Sequence, residues 1–387
     1  MQTFFEQPFW GRGFRPFFFL GALYSVFSLG IWGWFYAGHI TPPGFLLDSV
    51  LWHAHEMIYG YTMAIIAGFL LTAVANWTGG APARQIHLIS LCFLWLLGRL
   101  VMNVDLGLPF WGLVLAEIVF IPALALSLAV PLIKSWNKRN FIFLTLLSAL
   151  FACDLVFLIT MEKMSLYIAL MVILTMISLV GGRIIPAFTV AALRRNGVKA
   201  FQTPQEKMDI AALVSLAAVA LCLVFAKDTI FMALCAGLSA LIHGLRMRHY
   251  HGLKTLADPM LWILQAGYLW LIIGLFMLSL TGFGILALPS VIHALTTGCI
   301  GSMTLGMICR VTLGHTGRNL LASKITTASF LMMQVAALMR VFGPLSMPNK
   351  MTEWVTGSAF LWAACFVIYL LVYTPMLTGP RPDGREA

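Results

Sequence analysis

An all-α integral membrane protein of about twelve spanning helices is the fold class this sequence predicts. Three observations carry the prediction. The 387 residues are 60% hydrophobic and only 10% charged, with a mean hydropathy of +0.92, more apolar surface than a soluble core absorbs. The apolar residues fall in long runs separated by short polar turns. The basic residues sit mainly in those turns and on alternate sides of the chain.

The runs place spans near 17–38, 52–77, 86–104, 109–133, 140–160, 165–189, 209–226, 229–246, 259–280, 287–313, 325–343 and 354–376. The division is a 1–16 N-terminal segment, one 17–376 transmembrane domain, and a 377–387 tail expected to be disordered. Arg12 and Arg15 precede an apolar run too long for a signal peptide, so the first run is expected to stay as a helix. With the N-terminus inside, seventeen Lys and Arg fall in inner segments, while Lys163, Lys227 and Lys350 alone fall outside. That bias predicts a multi-pass protein of the bacterial cytoplasmic (inner) membrane with both termini cytoplasmic. The net charge of +10 is therefore topology in a lipid bilayer, and nucleic acid is excluded as a partner. The seven cysteines lie singly in apolar runs with no CxxC, as small buried hydrophobes and not as a disulfide or zinc framework.

Ionisable groups remain inside the spans: Arg99, Arg183, Arg310 and Arg340, with Glu56, Glu117 and Asp154. Such groups are costly in a membrane and mark ligands, pathways or mutual neutralisation. For Arg340 and Asp154 the plain reading, neutralisation or snorkelling to the interface, is preferred.

An internal repeat links the ends of the second, sixth and tenth helices. In each, a ring residue precedes a threonine: Trp77-Thr78, Phe188-Thr189 and His315-Thr316. Counting back 22 residues from Trp77 and from His315 reaches His55 and His293, and Gly60 and Gly68 match Gly298 and Gly306. Leu166 fills the equivalent place in the sixth helix. Spacing of four helices suggests three four-helix units. His55 and His293 then lie at similar depth near the outer side, where two histidines on separate helices can hold the axial faces of a haem or two corners of a copper site.

A lone membrane histidine is more often a hydrogen bond between helices than a ligand. That plain reading serves for His39, His87, His249 and His251, and a helix-terminal cation accounts for His315. For His53, His55 and His293 the shared depth and register favour a ligand role. His53 and His55 point to different sides of a regular helix, so they are assigned to different centres. Glu56 is expected to reach the second ring nitrogen of His53 and fix its tautomer. Asp48 or Ser49 caps the second helix. At the inner ends, His243, Arg183, Arg310 and His315 could meet carboxylates or lipid phosphates, and Arg99 is the better placed for an outer-side haem propionate.

These stretches resemble the NnrS family of bacterial membrane proteins linked to nitric oxide. The resemblance runs through FRPFFFLG, WHAHEM (52–57), FLLTAVANWTG (69–79), LGRL (97–100), GGRIIPAFT (181–189), GLSALIHGLR (237–246) and HALTTGCIGSMTLGMICRVTLGHTGR (293–318). It implies twelve spans, bound haem of the b type, copper, and relief of nitric oxide (nitrosative) stress. It also implies a distant likeness to the large subunit of haem-copper oxidases, whose three four-helix arcs carry ligands on helices 2, 6 and 10. By that likeness His55 and His293 are candidate haem ligands, with Arg99, Arg183 and Arg310 beside the cofactor. His53, His243 and His315 are further metal candidates. The sixth helix has no histidine, so an oxidase-like triad of copper ligands is not reproduced, and Gln265 stands where some relatives carry a histidine. The reading is a haem and copper protein that binds or converts nitric oxide, an oxidoreductase if electrons arrive from a quinol or redox partner. The alternative is a secondary transporter of a stress-related solute or metal.

Overall fold

A computed structural model describes residues 4–43 and 46–384. Among these residues there is no strand, and twelve helices are long and apolar enough to cross a membrane. They are α1 Phe14–Tyr36, α2 Ser49–Thr78, α3 Ile86–Asn103, α4 Phe110–Lys134, α5 Lys138–Thr160, α6 Lys163–Arg195, α7 Glu206–Phe225, α8 Ile230–Tyr250, α9 Pro259–Gly282, α10 Leu288–His315, α11 Lys324–Ser346 and α12 Pro348–Thr378. Each coincides with an expected span to within a few residues. Hydropathy sets the helix and leaves only its ends to capping. Asp48 caps α2 by accepting from the Val50 and Leu51 amides, both at 2.9 Å. Asp258 and Ser323 do the same for α9 and α11.

The packing divides the chain into two compact units. One comprises Met1–Ala169, Ile308–Leu320 and Phe366–Ala387; the other comprises Leu170–Met307 and Leu321–Cys365. The first holds α1 to α5 with the last turns of α10 and α12. The second holds α7 to α9, α11, most of α6 and α10, and the first part of α12. The expected tail is helical through Thr378, and Arg381 bonds to the His315 carbonyl at 2.9 Å and to Asp383. Arg385 and the last two positions lie outside the described residues.

The repeat between α2 and α10 has a structural counterpart. α2 is a regular helix over Ser49–His55, a π-helix over Glu56–Thr62, and regular again over Met63–Thr78. α10 is regular over Leu288–His293, π-helical over Ala294–Ile300, and regular over Gly301–His315. The two wide turns begin one residue after His55 and His293, in the register of the matched glycines. α6 is α-helical throughout, so the third member of the repeat is missing in structure as well as in sequence.

A π-turn widens the backbone, and its polar groups need help from outside. In α2 the Thr62 hydroxyl donates to the Met57 carbonyl at 2.7 Å, and the Trp95 indole donates to the Gly60 carbonyl at 3.0 Å. The matched glycines explain how close neighbours come. The Tyr24 ring of α1 packs where a Gly60 side chain would be, and Phe18 lies 2.8 Å from the place of a Gly68 Cβ. On α10 the Trp270 ring of α9 occupies the place of a Gly298 side chain, and Ile263 lies 2.7 Å from the place of a Gly306 Cβ. The helix pair α1–α2 is thus repeated as α9–α10. These are also buried helices: 78% of the apolar window of α2 and 83% of that of α10 lie inside.

Gly298→Leu should lower the melting temperature of the detergent-solubilised protein, since overpacking of this kind costs about 1–3 kcal/mol. The Trp270 ring it displaces is anchored to Gln334 at 3.0 Å. Gly30→Ala, with nothing within 4 Å of the added carbon, should leave the melting temperature unchanged or slightly raised. Intrinsic fluorescence during heating reads both.

Candidate functional site

Inside the first unit, four helices bring ionisable groups to one buried point. α2 supplies His55 and Glu56, α3 supplies Arg99, α4 supplies Glu117, and α5 supplies Asp154; all are buried, with His55 and Glu56 fully so. His55 Nδ1 lies 2.8 Å from Glu56 Oε1, and Nε2 lies 3.1 Å from Asp154 Oδ1 and 3.8 Å from Glu117 Oε1. Arg99 donates from Nη1 to Glu56 Oε1 at 2.7 Å and from Nη2 to Glu117 Oε1. Tyr24, on α1, and Asn103 complete the Glu56 carboxylate: the phenol donates to Oε2, and the Asn103 amide lies 3.3 Å from it. Trp52 holds Asn103 in turn at 3.1 Å. The Tyr59 and Phe157 rings flank the imidazole at 5.0 and 5.4 Å.

The local backbone makes the placement feasible. Glu56 opens the π-segment, and its side chain folds back to the ring of the residue before it, an arrangement the even pitch of an α-helix disfavours. Gly98 lets α4 approach, since the Glu117 carboxylate occupies the place its Cβ would take. Glu56, expected beside His53, bonds the ring of His55, and His53 stacks on Trp32 with centroids 4.1 Å apart and planes 8° from parallel.

Charge decides what this cluster can do. Three carboxylates face one guanidinium and one imidazole, out of water, and a bare charge costs several kcal/mol there. A neutral imidazole has a single N–H, yet both its nitrogens face carboxylate oxygens. The arrangement therefore calls for further positive charge, as protons or as a metal cation. His55, Glu117 and Asp154 offer one ligand atom each within 4.8 Å of one another. An ion about 2.0–2.2 Å from each ligand sets tetrahedral ligand atoms roughly 3.3 Å apart, and the 3.1 and 3.8 Å separations bracket that spacing. Glu117 Oε2 is buried and has no hydrogen-bond partner. Glu117 and Asp154 also line a cavity of about 10 Å³ with Tyr59, Arg99 and Trp95, room for roughly one water.

The other candidates lie elsewhere. In the second unit, His293 is half-buried at the start of the π-segment, and its Nδ1 donates to the Pro289 carbonyl at 2.8 Å. His243, fully buried, spends Nδ1 on the Ser239 carbonyl at 2.9 Å and Nε2 on Ser178 at 3.0 Å. That is the helix-linking role of a membrane histidine. Its neighbour Arg246 bonds Asp209, Ser178 and Tyr268. Arg183, half-buried, belongs to this unit too; buried Arg310 belongs to the first, as does His315, whose Nδ1 lies 3.3 Å from Arg12. None of these is a partner of His55 in the bonds described above.

Glu117 and Asp154 are the members that residue-by-residue reading did not assign to the site; Asp154 is 1% exposed and bonded to His55, which agrees with neutralisation and not with snorkelling. Depth was the available signal. His55 and Glu117 are six and seven residues from the starts of α2 and α4, while Arg99 and Asp154 are four and six residues from the ends of α3 and α5. Alternating helix directions bring all four to within about 10 Å of the same end of their spans.

Arg99→Met should strand two buried carboxylates and cost about 3–5 kcal/mol of stability, seen as a loss of monodisperse protein in detergent. Arg99→Met combined with Glu117→Gln should recover part of that loss, because the paired groups are strongly coupled.

Comparison with known proteins adds one finding. A search of curated proteins returns no match. The model of the family described as "NnrS protein" matches residues 8–381, almost the whole chain, including every stretch that contributes to the buried cluster. This twelve-helix chain is a member of the NnrS family.

Proposed function

We propose that the protein is a membrane metalloprotein acting against nitric oxide stress, and that His55, Glu117 and Asp154 hold a single transition-metal ion. The observation that carries this is the excess of buried carboxylate over buried cation around an imidazole. One nitrogen and two oxygens form a hard to intermediate donor set, suited to copper(II) or iron(II) and poor for copper(I). When bound, such an ion supplies a coordination point for a small neutral ligand such as nitric oxide. Glu56 orients the imidazole through Nδ1, the usual outer partner of a ligating histidine. Arg99 holds Glu56 and Glu117 in place, and Tyr59 with Phe157 keeps the ring among apolar surfaces. The nitric oxide role itself rests on the family resemblance.

Haem does not fit at His55. Both ring nitrogens already face carboxylates, two aromatic rings flank the imidazole, and the adjoining cavity has room for about one water. The haem part of the reading therefore rests on His293, which the family resemblance makes a candidate ligand and whose ring is oriented by the Pro289 carbonyl. The basic bias of the connectors supports cytoplasmic termini in a bacterial inner membrane. The cluster would then lie in the outer half of the bilayer.

The transporter reading gains one observation: α2 and α10 carry matched departures from regular helix, and broken helices in corresponding positions are where transporters bind cargo.

Elemental analysis and absorption spectra of the purified protein, with and without nitric oxide, separate these readings. About one equivalent of copper or iron beyond any haem iron is expected, lost in His55→Ala and in Asp154→Asn. A haem spectrum, where present, should vanish in His293→Ala and survive in His55→Ala. Protein grown with ample copper, iron and haem precursor that carries no metal would overturn the metalloprotein reading in favour of the transporter.

A further inference from the structure

A second charged cluster in the first unit has the opposite sign and lies at the other end of its helices. Three pieces of chain meet there: the start of α1 with Arg12 and Arg15, the end of α10 with His315 and Arg318, and the segment after α12 with Arg381 and Asp383. Arg318, Arg381 and Arg12 all lie close enough to repel the Arg15 cation. Among the described residues, Asp383 is drawn into the cluster, gripped by Arg381 through Nε and Nη2 at 2.9 and 2.6 Å.

Helix capping accounts for part of this. Pro375 sits in the last turn of α12, and the carbonyls beyond it have no intrahelical partner. Arg15 Nη1 supplies one, with the Leu377 and Gly379 carbonyls at 2.6 and 2.9 Å and that of Met376 at 3.3 Å. Arg381 Nη1 reaches the His315 carbonyl at the end of α10, and Arg318 Nη1 that of Thr316. Capping leaves a remainder. Arg15 is fully buried, yet its Nε and Nη2 have no hydrogen-bond partner, and neither does the buried Nε of Arg12. Arg12 spends Nη1 on the ring nitrogen of His315, which carries no compensating charge. Buried donors on repelling cations are a doubly unfavourable arrangement unless an anion meets them.

We propose that Arg12 and Arg15, with Arg318 at the rim, bind a phosphate group. Buried guanidinium donors on neighbouring cations suit a planar or tetrahedral oxyanion, which accepts from several N–H groups at once. Two sources share that chemistry: the headgroup phosphate of an anionic phospholipid, and free inorganic phosphate. The site lies where α1 begins and where α10 and α12 end, the membrane interface of these helices, so a lipid headgroup reaches it without crossing the bilayer. An anion there would tie the N-terminal segment to the ends of α10 and α12, and so stabilise the first unit from the side opposite the carboxylate cluster.

The test uses full-length protein stripped of lipid in a neutral detergent, with the melting temperature read by intrinsic fluorescence. Phosphatidylglycerol in mixed micelles should raise it by about 4 °C or more over phosphatidylcholine, and Arg12→Gln and Arg318→Gln should each abolish most of that rise. Lys134→Gln, on another part of the unit, should retain it. Arg15→Gln also loses the α12 cap, so the Arg12 and Arg318 variants are the ones that decide. A rise of the same size with millimolar inorganic phosphate alone would support the site and identify the free ion as its source. No rise with either probe, or an equal rise in Arg12→Gln, would overturn the proposal. Metal content should be unchanged in both of these variants, which keeps this outcome separate from that of the carboxylate cluster.

Discussion

The buried imbalance around His55 is the constraint on which the first unit depends. Five helices each place a charged or hydrogen-bonding group at that point, and no pair of them is satisfied alone. Arg99 needs both Glu56 and Glu117, His55 needs Glu56 and Asp154, and Glu56 needs Tyr24 and Asn103 to complete its oxygens. In a lipid surround such groups have no water to fall back on, so the helices that carry them are held in one arrangement. An ion held there would add to that constraint, because its ligands come from α2, α4 and α5. Binding and the relative placement of the helices would then be linked.

The π-segments show how the backbone accommodates this. A regular helix carries successive side chains to different faces. The widened turn beginning at Glu56 lets its carboxylate and the preceding imidazole share one partner network. The cost is a set of loosened backbone bonds, offset by Thr62 and Trp95. α10 repeats the widened turn after His293 without repeating the acids, since Ala294 stands where α2 has Glu56. The same backbone device therefore serves two different surroundings: a charged one at His55, and at His293 a half-buried one set by the Pro289 carbonyl. A duplicated helix pair whose copies have diverged in side chains accounts for both facts.

The two charged clusters of the first unit also differ in a way that matters physically. At the carboxylate cluster, negative charge exceeds positive and the groups are buried within the helices. At the arginine cluster, positive charge exceeds negative, and much of it is spent on helix carbonyls at chain ends. The first calls for a cation or protons, the second for an anion. Their opposite demands would be met by compensating charge at opposite ends of the first unit.

The sequence alone determined the number of spans and their bounds. Whether a run of twenty residues crosses a bilayer depends on summed hydropathy, which is local and additive. It also determined the matched register of α2 and α10, because glycines that admit a neighbouring ring and the 22-residue spacing from histidine to ring residue are both written in the chain. Partner choice was decided only by the tertiary structure. Glu56 lies within reach of two histidines, and a change of helix pitch, invisible in composition, sends it to His55. Asp154 and Glu117 read singly as neutralised membrane acids, and they become a site only when α4 and α5 pack against α2. The division into two compact units is likewise a property of packing. Hydropathy specifies that helices bury a face, but not which helix they bury it against.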